Sequence, residues 1–231
     1  MKILHFFPDL MNLYGDYGNL VVLRKHLEDQ GFEVSVEAKE VGDDIKVADY
    51  DMLYMGSGTE RNLMIALREI RKYRSELRIF IEEGKPVLFT GNAMELFGKK
   101  IDNEDGLGFL PFTVKQTKER YTGDVIVKSE EFGEVVGFIN KCSIIENGEN
   151  DKLFDYIFKD NNLNDNDYEG YRYQNLIGTH LIGPVLVKNP GMMEWLVREL
   201  CGVEHRFKDV NYPYENDSYE ITLSALKERI R

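Results

Sequence analysis

Residues 86–98, Pro-Val-Leu-Phe-Thr-Gly-Asn-Ala-Met-Glu-Leu-Phe-Gly, restrict the fold more than any other stretch of the chain. Three apolar residues after Pro86 suit a short buried strand, and Gly91-Asn92-Ala93 a tight turn. A short helix pattern follows and stops at Gly98. Strand, sharp turn and helix in that order make an elbow, the device that lifts a nucleophile above the edge of a parallel sheet. Small residues belong in such a turn because backbone crowds the raised position. No Cys and no Ser lies in it, so a site of this architecture lacks its usual reactive atom.

Upstream, apolar runs alternate with helical patterns. Ile3–Phe7 reads as a first strand, followed by a loop at 8–19 rich in Gly, Asn and Asp. A helix with its stripe at Leu20, Leu23 and Leu27 comes next, with Asp16 or Asn19 as its cap. Phe32–Val36 and Asp51–Met55 are predicted strands, and a single helix carries the stripe Leu63, Leu67, Ile70, Leu77 and Ile81 up to Gly84. Gly56-Ser57-Gly58-Thr59-Glu60 sits just past a strand, where backbone amides can face a ligand anion. It completes neither a P-loop nor a dinucleotide fingerprint and fits a plain βα turn equally well. The alternation implies an α/β three-layer fold with a mainly parallel central sheet. In such sheets ligands collect at the carboxyl ends of the strands, where the 8–19 loop, the Gly56 turn and the elbow all lie. The candidate ligand-binding residues are therefore Asp16, Gly56, Ser57, Gly58 and Asn92.

Downstream, 101–110 reads as a loop, and Thr113–Lys115, Gly123–Lys128 and Glu134–Asn140 as short antiparallel strands. Residues 147–170 read as a solvated excursion; the acidic run from Asp160 to Asp167 lacks the closing Glu and central Gly of an EF-hand. Leu176–Leu186 is a strand into a turn, Asn189-Pro190 opens a helix bearing Met193, Trp195, Leu196 and Leu200, and a last helix runs from about Ser218 to Ile230. With no repeat or linker, residues 1–231 are expected to form a single domain.

A chain of 231 residues, 42% hydrophobic, can bury a full core. Its net charge of -12 excludes ordinary nucleic-acid binding, which demands clustered Lys and Arg. The two cysteines, Cys142 and Cys201, have no metal spacing and point to a reducing compartment. No apolar run reaches membrane-spanning length. The expectation is a cytoplasmic protein without metal or cofactor.

Three motifs then carry a resemblance. They are Pro8-Asp9-Leu10-Met11-Asn12-Leu13-Tyr14-Gly15-Asp16; Gly137-Phe138-Ile139-Asn140; and Gly178-Thr179-His180-Leu181-Ile182-Gly183-Pro184 with Lys188-Asn189-Pro190. In this order and spacing the chain resembles the class I, triad-type glutamine amidotransferases of the cobyric acid synthase type. Within that family it is most similar to subunits that work with a Mur-ligase-like partner in amidating a cell-wall precursor. The resemblance implies such a heterodimer, with glutamine or a related small molecule as ligand. Phe109, Leu110 and Phe112 are apolar positions that the partner surface could include.

The departures are as specific as the match. The family carries Cys-Gly-Gly-Tyr-Gln at the elbow, and alignment on Leu96-Phe97-Gly98 puts Gly91 at the Cys position. The family's catalytic His precedes Gly-Pro; Ile182 stands there, and His180 falls where the family has Tyr. Thioester chemistry needs a thiolate and a base, and neither Gly91 nor Ile182 supplies one. Thr90 as substitute nucleophile, His180 as substitute base, and Glu95 with Asp16 as an acid–base pair are weaker alternatives. Cys142 reads as a small buried hydrophobe. Three functions stay open: a non-glutaminase partner or regulatory subunit, an amidotransferase using non-standard residues, and a small-molecule sensor.

Overall fold

In the computed structural model, which describes residues 1–147, 152–163 and 168–230, the first half forms strands β1 (Lys2–Phe6), β2 (Ser35–Lys39), β3 (Met52–Met55) and β4 (Val87–Thr90). Helices α1 (Tyr17–Asp29), α2 (Glu60–Ile70) and α3 (Arg74–Glu82) connect them. The second half contributes β5 (Lys100–Ile101), β6 (Glu104–Asp105), β7 (Thr113–Ser129), β8 (Gly133–Glu146), β9 (Lys152–Lys159), β10 (Tyr168–Tyr173), β11 (Leu176–Thr179) and β12 (Leu181–Ile182). It closes with α4 (Val185–Lys188), α5 (Pro190–Cys201) and α6 (Pro213–Glu228).

The sheet runs β12-β8-β7-β9-β10-β11-β4-β3-β1-β2. Strands β11, β4, β3, β1 and β2 are mutually parallel, and β12 with β8, β7, β9 and β10 extends them as an antiparallel half. Burial on both faces explains the near-continuous apolar runs of the parallel strands. Ile3, Met52 and Leu88 pack against Leu20, Leu23 and Leu27 of α1 and Met193 and Leu196 of α5. Leu4, Leu53 and Phe89 face the other way, onto Leu63 and Leu67 of α2 and Phe80 of α3. Helix α6 lays Leu223 and Leu226 over Ile126 and Val136 of the antiparallel half. Among the described residues no helix is long and apolar enough to cross a membrane.

The α/β class stands as expected; several boundaries do not. The strand predicted at Phe32–Val36 is displaced to Ser35–Lys39, because Phe32 serves the core beside α1 rather than the ladder. The single helix predicted up to Gly84 is two, split by a 3-10 turn at Arg71–Tyr73 that leaves Leu77, Phe80 and Ile81 facing the core. The predicted 101–110 loop begins with the small β5–β6 hairpin. The short strands predicted after Thr113 are parts of two long ones, β7 and β8, with a register shift between Gln116 and Tyr121. The described residues of the predicted excursion at 147–170 belong instead largely to the sheet: β9 and β10 lie within it and bury Phe154 and Tyr171. The acidic run Asp160 to Asp167 lies partly outside the described residues; Asp160 itself accepts from the Asp124 amide at 2.9 Å and pairs with Arg229. Helix α6 starts at Pro213, ahead of the expected Ser218, with proline in the first turn where its missing N–H is harmless.

The expected apolar partner surface is also corrected. Leu110 and Phe112 are fully buried and Phe109 packs against the core. The segment folds down on the elbow helix, the amides of Phe109 and Leu110 donating to the Phe97 carbonyl at 2.9 and 3.0 Å.

Candidate functional site

Strand β4 ends at Thr90 in extended conformation, and Gly91 turns sharply at φ +60° into a 3-10 helix over Gly91–Phe97. That left-handed angle is open to glycine at little strain and is what an elbow demands. A β-carbon at this position would overlap Ser57 Cβ, with Ile182 Cγ2 at 3.0 Å and Ser57 Oγ at 3.2 Å. Ile182 arrives on β12, which is held by pairing with Phe138 of β8. Gly91 and Ile182 therefore meet across the sheet edge, and Ser57, from the turn after β3, fills the space between them.

Two amides of that turn, those of Ser57 and Gly58, are already engaged within the protein rather than free to face a ligand anion, as the sequence suggested. Ser57 N–H donates to Asp16 Oδ2 at 2.8 Å, and Gly58 N–H donates to Asn92 Oδ1 at 2.9 Å. Asn92 Nδ2 returns a bond to the Gly58 carbonyl at 2.9 Å, so the elbow is clamped to the turn through one side chain. Gly56 is needed for this approach: a β-carbon there would lie 2.9 Å from both Asp16 Cβ and the Met11 carbonyl oxygen.

Asp16 occupies the cap position of α1 without capping it. Its buried carboxylate instead accepts from Ser57 Oγ at 2.7 Å and Thr90 Oγ1 at 3.4 Å. Burial pushes its pKa up against these hydrogen bonds. Tyr54 Oη donates to the Asp16 carbonyl at 2.9 Å and lies 3.3 Å from Thr90 Oγ1, while Asn19 Nδ2 donates to Tyr54 at 3.0 Å. Thr90 is wholly enclosed in this network.

Glu95, on the elbow helix, belongs to a second buried cluster. Its carboxylate accepts from Ser143 Oγ at 2.5 Å and lies 3.3 Å from His180 Nε2. The His180 main-chain amide donates to Glu169 Oε1 at 2.6 Å, and Thr179 Oγ1 donates to Glu169 Oε2 at 2.7 Å. His180 thus reaches the elbow helix through Glu95, and the pairing proposed for Glu95 with Asp16 does not form, each carboxylate having other partners. Cys142 is half-buried rather than buried; desolvation pushes its thiol up, the reverse of activation.

Burial also pushes Glu95 up to about 7, opposed by Ser143 and Lys141. Between its ordinary value of 4.5 and about 7 the folded protein holds a proton that the unfolded chain has released, so stability falls as pH rises through that window. Replacing Glu95→Gln removes the effect. Relative to the unmodified protein, the variant gains up to about 3 kcal/mol between pH 4.5 and pH 7, read from urea unfolding at both ends. Curves that stay parallel across that range would contradict the assignment.

A cavity of about 60 Å³ adjoins the elbow, lined by Leu13, Tyr14, Ser57, Asn92, Glu95 and Ser143 among others. It holds roughly four water-sized spheres. The larger cavity, about 460 Å³, lies away from the elbow between α1, α5 and the segment leading into α6. Its polar groups already bind one another, as His26 with Glu215 at 3.1 Å and Gln30 with the Lys208 backbone. No metal-holding group of His, Cys, Asp and Glu occurs among the described residues.

Sequence reasoning did not anticipate Ser57 as the occupant of the space beside Gly91, or Asn92 as a clamp. The only signal was a hydroxyl residue set between two glycines in a turn at the same sheet edge.

Residues 2–190 match the CobB/CobQ-like glutamine amidotransferase domain. The chain is 30% identical to the lipid II isoglutaminyl synthase (glutamine-hydrolyzing) subunit GatD of Staphylococcus aureus, over 96% of this chain and 95% of that protein. It is 28% identical to the GatD subunit of Streptococcus pneumoniae, over 97% and 87% respectively. Among solved structures, PurLQS from Thermotoga maritima superposes with a TM-score of 0.54 at 15% identity, covering 96% of this chain and 98% of that one. A crystal structure of a glutamine amidotransferase gives 0.56 at 14% identity, over 86% and 99%. At these identities the structural likeness concerns the fold.

Proposed function

The chain belongs to the CobB/CobQ-like glutamine amidotransferase family, and from that premise we propose that it is a member without glutaminase activity. Its role is that of a partner or regulatory subunit of a Mur-ligase-like enzyme in cell-wall precursor amidation. One observation carries this reading: the space a side chain at residue 91 would need is filled by Ser57 and Ile182. Forming an acyl-enzyme requires a nucleophile with a base beside it. At the aligned positions Gly91 offers no attacking atom and Ile182 no proton acceptor. The Asn92 clamp adds to this by occupying the Gly58 amide, since an elbow site draws an oxyanion donor from a neighbouring βα loop.

The subunit role is supported by the GatD relatives, each a subunit of lipid II isoglutaminyl synthase. Exposed Leu13, Tyr14, Tyr17 and Val21, on the 8–19 loop and the start of α1, offer an apolar surface for it. Residues 1–231 act as one such domain, in the cytoplasm.

The test is release of glutamate and ammonia from glutamine by the purified protein, alone and with the cognate Mur-ligase-like protein. No release above buffer is expected in either case. Release that Thr90→Ala or His180→Ala abolishes would overturn the proposal in favour of an amidotransferase using other residues.

A further inference from the structure

We propose that Ser57 and Asp16 form a transposed nucleophile–base pair that accepts small acyl groups at the elbow. The glycine at 91 leaves a gap at the position an elbow normally gives to its nucleophile, and the Ser57 side chain enters that gap from the adjoining turn. Its Oγ lies 3.2 Å from where a β-carbon of residue 91 would be. A hydroxyl is a poor nucleophile until a base takes its proton. Asp16 Oδ2 accepts that hydroxyl at 2.7 Å, within the reach a general base needs.

Three further features fit this role. The Asp16 carboxylate is fixed by the Ser57 amide and the Thr90 hydroxyl, so its accepting oxygen is already aimed. Its pKa is raised by burial, the direction that makes a carboxylate a stronger base. Ser57, though itself buried, also borders the cavity beside the elbow, whose walls include the exposed residues Leu13 and Tyr14.

The reaction balances without any added oxidant or reductant. Ser57 Oγ attacks the carbonyl carbon of an ester, and its proton passes to Asp16. The tetrahedral intermediate collapses, the bond from carbon to the leaving oxygen breaks, and the leaving group takes the proton from Asp16. Water then attacks the Ser57 ester with Asp16 again as base, releasing the carboxylic acid and restoring the hydroxyl. Size sets the substrate class. A cavity of about 60 Å³ suits an acyl group of a few heavy atoms, an acetyl or carbamoyl group, better than the ten heavy atoms of glutamine. The inference thus goes beyond the proposed function and does not depend on it.

The test uses the full chain with p-nitrophenyl acetate as probe. Release of p-nitrophenolate above buffer is expected, with an acetyl adduct mapped by mass spectrometry to the peptide holding Ser57. Ser57→Ala, which keeps the β-carbon in place, should abolish the adduct, and Asp16→Asn should slow release by about 100-fold. With p-nitrophenyl benzoate, whose acyl group exceeds the cavity, release should stay at the buffer rate. An adduct elsewhere, a rate untouched by Ser57→Ala, or equal turnover of the benzoate would overturn the proposal. Should Asp16→Asn fail to fold by circular dichroism, the Ser57→Ala rate and the adduct position decide.

Discussion

Gly91→Cys lowers folding stability by about 2–6 kcal/mol, and about half of the loss disappears when Ser57→Gly accompanies it. Two effects combine in the single variant. A non-glycine residue held at a left-handed angle costs about 1–3 kcal/mol, and Gly91 sits at φ +60°. Forcing extra atoms into packed space adds about 1–3 kcal/mol, and the new β-carbon meets Ser57 and Ile182. Ser57→Gly removes only the second effect, so the pair should couple by about 1–3 kcal/mol in a double-mutant cycle. Urea unfolding of the four proteins measures it; simple additivity would mean the space beside Gly91 is not filled as described. The same geometry decides how a glutaminase site could be restored. Gly91→Cys with Ile182→His supplies thiol and imidazole but leaves Ser57 in the way, so turnover of glutamine is expected only when Ser57→Gly is added.

Asn189→Ala should be comparably damaging, at about 3–5 kcal/mol, although Asn189 touches nothing reactive. This buried side chain accepts from the Val136 amide at 2.8 Å and donates to the carbonyls of Val136 and Val185, each at 2.8 Å. Alanine leaves three backbone groups without partners in a dry interior, each worth about 1–3 kcal/mol. The affected joint ties β8 to α4 and α5, and β12, which carries Ile182, pairs with β8. A fall in Tm of roughly 10 °C is expected for a protein of this size. A change within the ±0.5 kcal/mol typical of surface sites would show that water replaces these bonds.

How much of this was legible depended on whether the signal was local. The strand, turn and short helix at 86–98 read correctly because Pro86, Gly91 and Gly98 punctuate an apolar run. Leu20, Leu23 and Leu27 read correctly because helical spacing is a property of neighbours in sequence. Strands β9 and β10 did not, since Asp, Asn and Glu around them mimic a solvated loop while Phe154 and Tyr171 are claimed by a distant core. Phe109, Leu110 and Phe112 look the same in sequence whether they face a partner or the elbow helix. At the site, motif order aligned Gly91 with Ile182. The filling by Ser57 and the clamp by Asn92 are contacts between segments brought together only by the sheet, and no spacing rule reports them.

The seating of β4 between β3 and β11 also dictates an order of events during synthesis. Val87 faces Leu53 of β3 on one side and Leu176 of β11 on the other. The β3 partner is already made when β4 leaves the ribosome, whereas about ninety further residues must follow before β11 exists. At ordinary elongation rates that interval is roughly 5–20 s. Throughout it Val87, Leu88 and Phe89 stand on an open, apolar strand edge, the kind that pairs with foreign chains. The elbow strand is thus among the last parts of the sheet to be closed, and a nascent chain stalled before Leu176 would be a candidate for chaperone capture.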